Sequence, residues 1–171
     1  MTALLKAFIE IALWRRGPGH LPDSTALAIL AAAAYAACSA VQSWMLFGMQ
    51  DLVGRTLADV LLAGALIWLL LLATGRRHRF RQTASAVFGT GALLSPLVIA
   101  LLVLKTPAAA SQPLALFVWA GSVAVIVWFT LIVGHILRAA LDTGLFTAMA
   151  VSVAYLVGSA ALITWWFPSG A

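Results

Sequence analysis

The sequence predicts an all-α fold: a polytopic membrane helical bundle of about five transmembrane helices, preceded by an N-terminal interfacial amphipathic helix. Three observations carry this prediction. Of the 171 residues, 64% are hydrophobic and only 9% charged, where a soluble domain is about half apolar and a quarter charged. Mean hydropathy is +1.07. The apolar residues also fall into five runs, 25–47, 56–74, 83–104, 114–137 and 145–167. At ~1.5 Å of rise per helical residue, each run can cross a hydrocarbon core of ~30 Å. The connections between runs are short, which predicts sequential helices packed as antiparallel neighbours. The chain therefore divides into residues 1–22, an interfacial helix and loop, and residues 23–171, the five-helix transmembrane domain.

Each element has its own signature. Before the first run, Leu4, Leu5, Phe8, Ile9, Ile11, Ala12 and Leu13 cover most of a helix, while Thr2, Lys6 and Glu10 recur every four residues as a narrow polar stripe. Such a helix lies along the membrane surface, anchored by Trp14 and the Arg15-Arg16 pair, and stops at Gly17-Pro18-Gly19. Glu10 and the basic pair after the run argue against a cleaved signal peptide. Pro22-Asp23-Ser24 supplies a turn and an N-cap for the first span. Asp59 sits near the start of the second run, and Arg55, one turn earlier and just before the run, is expected to pair with it near the interface. In the third, Ser95-Pro96 removes a backbone donor and predicts a kink.

Lys6, Arg15, Arg16, Arg76, Arg77, Arg79, Arg81 and Arg138 fall on one side of these spans, and only Arg55 and Lys105 on the other. The positive-inside rule then places the N-terminus in the cytoplasm and the C-terminus outside. Trp44, Trp119, Trp165 and Trp166 all fall at the opposite, external ends, where indole suits the headgroup level. The net charge of +5 is therefore read as topology, with no nucleic-acid partner. An Arg-rich, Ala-rich composition points to a GC-rich bacterial gene and hence to the inner (cytoplasmic) membrane. The single Cys38 excludes an intramolecular disulfide.

Candidate sites fall into three groups. Arg76, Arg77, Arg79 and Arg81 form a basic loop, and His135, Arg138 and Asp142 share a helical face by their spacing. The loop is first a topology determinant and the trio first a snorkelling Arg–Asp pair. Arg76, Arg77, Arg79, Arg81, His135 and Arg138 are nonetheless the candidates for contact with lipid headgroups or an acidic partner. Ser85, Gly89 and Ala92 on the third span, and Ala150, Ala154 and Gly158 on the fifth, form small-residue faces suited to helix packing or to a dimer. Polar stripes Tyr35, Ser39 and Gln42 on the first span, and Ser152, Tyr155 and Ser159 on the fifth, either bond between helices or line a cavity. No catalytic residue, metal ligand or cofactor site is expected. The sequence lacks a Walker motif, paired cysteines, His-Glu-x-x-His and Gly-x-Ser-x-Gly, and Gly89-Thr90-Gly91 lies in a span with no strand before it.

Several features, taken in order, resemble the Ypt-interacting protein (Yip) family: five spans, a Gly75-x4-Phe80-Arg81-Gln82-Thr83 step opening the third, Pro96 within it, and His135-Ile-Leu-Arg-Ala-Ala-Leu141 before the fifth. The likeness covers roughly residues 25–167. In eukaryotes that family is associated with small GTPases and membrane traffic. This chain departs from the eukaryotic pattern, lacking its Asp-Leu-Tyr-Gly-Pro segment and long cytosolic N-terminal region, so a GTPase-binding role is not carried over. The resemblance implies a non-enzymatic scaffold or adaptor. The function expected from sequence is thus a multi-pass scaffold that binds membrane-protein partners, or a second copy of itself, and anionic lipid headgroups. A small transporter or channel using the polar faces of the first and fifth spans is the alternative.

Overall fold

The computed structural model describes residues 2–108 and 111–167. Among these, six α-helices and two 3-10 turns account for nearly the whole chain: α1 (Thr2–Ala12), α2 (Thr25–Phe47), α3 (Leu52–Ala73), α4 (Phe80–Ala108), α5 (Gln112–Leu141) and α6 (Leu145–Trp166). Helices α2 to α6 are long and apolar enough to cross a membrane, which makes this a multi-pass membrane protein.

Local chemistry sets most boundaries. Ser24 caps α2 by accepting a hydrogen bond from the Leu27 amide at 3.4 Å. Gly75, with φ +71, ends α3. The Arg76 amide donates to the Leu71 carbonyl at 2.7 Å and the Gly75 amide to Leu72 at 3.0 Å, the paired bonds of a Schellman cap. Three spans run longer than hydropathy predicts. Helix α3 starts at Leu52, ahead of Arg55 and Asp59, because both charges find polar partners inside the bundle. Helix α4 continues through Pro96 for 29 residues, and α5 extends to Leu141.

The packing order differs from chain order. Helix α2 packs most extensively on α4, with which it runs parallel, whereas the sequential pair α3 and α4 touch much less. The reason lies in side-chain size: Ala31 of α2 and Ala84 of α4 are both buried in one cluster with Phe88, so the backbones approach closely. Helix α3 then packs on α2 and α6, α6 on α5, and α5 on α4, so the five spans close a ring. Residues 83–91 of α4 are buried without interruption. Their hydroxyls are satisfied within the helix: Thr83, Ser85 and Thr90 each donate to the carbonyl four residues back, at 2.7–2.9 Å.

The largest core cluster gathers at the Arg-rich end, around Ile11, Leu71, Val87, Ile132, Ile136 and Leu137. Helix α1 contributes to it directly, since Ile11 is fully buried and α1 packs on α4 and α5. It stops at Ala12, earlier than the Gly17-Pro18-Gly19 stop expected from sequence, and the chain turns through Trp14 at φ 61. Trp14, expected as a membrane anchor, stacks on His135 with ring centroids 5.5 Å apart.

Candidate functional site

Between the spans lies a half-open cavity of about 220 Å³. All five helices contribute to its wall: Tyr35, Ser39 and Gln42 from α2, Asp59 from α3, Gly91 and Ser95 from α4, Phe129 from α5 and Leu156 from α6, with aliphatic side chains between them. The three α2 residues share one face because they are spaced by four and three. Gly91 allows the floor to close. A Cβ there would stand 2.8 Å from the Tyr35 ring, so any larger residue would displace that ring.

Asp59 is the chemically distinctive member. It lies seven residues into α3, about 10 Å from the helix start at ~1.5 Å per residue and therefore within the span. The Ser39 hydroxyl donates to its Oδ2 at 2.8 Å. Among the described residues no cation pairs with it: the ion pairs are Arg16–Glu10, Arg76–Asp142, Arg79–Asp142 and Arg81–Asp23. The Arg55–Asp59 pair expected from sequence is thus absent. Arg55 turns instead to the end of the bundle, where a carbonyl and two rings hold it. Its Nη2 donates to the Phe167 carbonyl at 2.6 Å, and its guanidinium lies 4.1 Å from the Phe47 ring centroid and 5.5 Å from that of Phe167. Arg55 is 6% exposed and ties the ends of α2, α3 and α6 together just beyond the cavity.

The two polar stripes part company. Tyr35, Ser39 and Gln42 line the cavity, whereas Ser152 is fully buried and donates to the Thr130 carbonyl of α5 at 2.7 Å, a bond between helices. Ser159 bonds within its own helix, to the Leu156 carbonyl at 3.1 Å, while Tyr155 packs against both core clusters and lies near Asp59 and Tyr35. The small-residue faces differ too. Ser85 and Gly89 are buried, and a Cβ on Gly89 would meet the Phe8 ring of α1 at 2.2 Å. Ala150 and Ala154 are exposed, and nothing lies within 4 Å of where a Cβ of Gly158 would sit.

At the Arg-rich end, most of the basic loop is held by the protein itself. Arg79 donates to the Ala139 and Ala140 carbonyls, each at 3.2 Å, placing a positive charge on the C-terminus of α5. Arg76 and Arg79 both reach Asp142, at 3.3 and 3.2 Å, and Arg81 binds Asp23 at 2.7 Å. Arg77 and Arg138 are exposed. His135, Arg138 and Asp142 do line one pocket, of about 350 Å³, but Arg138 does not pair with Asp142. Helix α5 ends at Leu141 and Asp142 adopts φ 44, which takes its side chain off the shared face. The His135 Nε2 lies 3.0 Å from the Arg16 carbonyl, so that nitrogen carries the donated proton.

Sequence reasoning assigned Asp59 to a local pair. The signal that marks it is its depth inside an apolar run, since an ionisable group there marks a functional site by default. Among the described residues no three His, Cys, Asp or Glu side chains cluster as metal ligands. Comparison with known proteins found no matching family model, no matching curated protein and no matching solved structure.

Proposed function

We propose that this protein is a small solute-binding membrane carrier or channel whose site is the cavity around Asp59. One observation carries the reading: a carboxylate with no cationic partner among the described residues, inside a span, faces a largely apolar cavity to which all five spans contribute. Removing a charge from water costs several kcal/mol (~3 on insertion scales, more by simulation) unless something compensates it. The Ser39 hydroxyl, with the Tyr35 hydroxyl beside it, compensates the carboxylate only in part, so the cavity is suited to receive a guest. The test is reconstitution into proteoliposomes, followed by uptake of cationic, neutral and anionic solutes small enough for the cavity. Protein-dependent uptake that falls in Asp59→Asn and Gly91→Ala supports the reading. Uptake no greater than in empty vesicles across the whole panel refutes it.

The scaffold expected first from sequence becomes the second reading, and α6 is what favours it. This is the least buried span, and Ala150, Ala154 and Gly158 leave its small-residue face open to a partner helix or a second copy. The resemblance to the Yip family supports the same reading, with exposed Arg77 and Arg138 available for anionic headgroups. Oxidative cross-linking of Ala154→Cys in a Cys38→Ser background should trap a partner; a wholly monomeric product would remove this reading.

On either reading we place the chain in a bacterial inner membrane with its N-terminus in the cytoplasm. Eight Lys and Arg on the Arg-rich side against two on the other support this orientation.

A further inference from the structure

We propose that the Asp59 cavity binds a small organic monocation, an alkylammonium of a few carbons. This deepens the carrier reading and rests on it. Charge sets the first condition. Asp59 is the one formal charge in the cavity wall, so a guest of charge +1 neutralises the site, whereas a divalent ion leaves a net positive charge in a low-dielectric interior.

The wall sets the second condition. Its polar groups gather on one side, where Asp59, Ser39 and Gln42 meet between α2 and α3, while Leu94, Val98, Val125, Ile126 and Leu156 make the rest apolar. The Ser95 hydroxyl already donates to the Gly91 carbonyl at 2.9 Å. A hydrated metal ion would leave most of its water shell facing hydrocarbon. An alkylammonium matches the asymmetry. Its N–H groups donate to the Asp59 carboxylate and the Gln42 carbonyl oxygen, and its methylenes pack on the aliphatic wall. The Tyr35 and Phe129 rings add surfaces that attract a cation.

Volume sets the third condition. The cavity of about 220 Å³ is smaller than the ~300–1,000 Å³ of pockets for drug-sized ligands. At ~30 Å³ per water it displaces roughly seven waters, space for an amine of about five or six non-hydrogen atoms.

The experiment is isothermal titration of the full-length protein in nanodiscs of neutral phospholipid. The probes are n-butylammonium, its neutral isostere n-butanol, sodium and calcium. Butylammonium should bind to wild type, and Asp59→Asn, which keeps an acceptor for Ser39, should weaken it roughly thirtyfold or more. Butanol should show no saturable binding. Equal affinity of wild type and Asp59→Asn for butylammonium, absence of binding to wild type, or sodium binding that butylammonium does not displace each overturns the proposal. Should Asp59→Asn fail to fold, Gly91→Ala decides. Its Cβ displaces the Tyr35 ring from its place in the cavity wall, so retained butylammonium affinity overturns the proposal and loss supports it. Asp59-dependent uptake of a neutral or anionic solute, without ammonium binding, would leave the carrier reading standing and end this inference. Ammonium binding without flux of any solute would do the reverse.

Discussion

Replacing Arg55 with methionine removes a side chain that joins the ends of α2, α3 and α6. Its charged donor to the Phe167 carbonyl, at 2.6 Å, belongs to a class that contributes ~1.5–3 kcal/mol. The guanidinium 4.1 Å from the Phe47 ring centroid adds ~0.5–2 kcal/mol. Opposing both, Arg55 is 6% exposed and its Nε is buried without an acceptor, so substitution recovers ~1–3 kcal/mol of desolvation. The net is a loss of about 1–2 kcal/mol. At ~2–4 °C per kcal/mol for a chain of this size, the melting temperature should fall by about 2–8 °C. Thermal melting followed by circular dichroism in one fixed detergent measures this. A double-mutant cycle with Phe47→Leu isolates the ring contact, with an expected coupling of ~0.5–2 kcal/mol. An unchanged melting temperature together with zero coupling would refute the assignment of Arg55 as a clamp.

At the opposite end, Arg79→Ala should destabilise by ~1–3 kcal/mol, because Arg79 serves two carbonyls and Asp142. Exposed Arg77→Ala should stay within ~0.5 kcal/mol of wild type, and equal melting of the two variants would contradict the α5 cap. Gly89→Ala improves helix propensity by ~1 kcal/mol, yet its Cβ displaces the Phe8 ring. Limited proteolysis should therefore cut α1 faster in that variant, and unchanged cleavage would mean that α1 does not rest on Gly89. Cysteines placed at Arg77 and Lys105 in a Cys38→Ser background should label from opposite sides with an impermeant thiol reagent; same-side labelling would overturn the alternation of spans.

The spans were legible because hydropathy reports the solvent directly: residues 25–47 coincide with α2, and the fifth run matches α6 to within one residue. Ends carrying charges were less legible. A sliding window counts Arg55 and Asp59 as polar and starts the second span at residue 56, although α3 covers both charges. Which of Asp59's neighbours would accept or donate depends on helix packing, and one sequence holds no direct record of packing. Helix α2 carries polar residues at the spacing of a single face, so Tyr35, Ser39 and Gln42 could be grouped from sequence. That Asp59 joins them while Ser152 turns to Thr130 follows from the order of helices in the ring. The Arg138–Asp142 pairing failed for a local reason. Spacing arguments assume that the helix continues, and Asp142 lies one residue past the end of α5.

Among the described residues the two ends of the bundle are held by different contacts, and this bears on how a guest would enter. The Arg-rich end holds the largest core cluster, the docked end of α1, and ion pairs that tie the α3–α4 connection to α5 and to the segment before α2. Beyond the cavity, the described cross-tie is Arg55 with Phe47 and Phe167. Opening the Arg-rich end requires separating several buried apolar contacts and charged bonds together. Among the described residues, the other end buries Leu101 and Val118 between α4 and α5, and where α2, α3 and α6 meet it is held by one guanidinium on one carbonyl and two rings. The lower-stability end of a fold is where local opening concentrates. On the carrier reading, exchange with the Asp59 cavity therefore proceeds past Arg55. A guanidinium freed from Phe167 is also one turn from Asp59, close enough to compete with a bound cation for the carboxylate and so to favour its release.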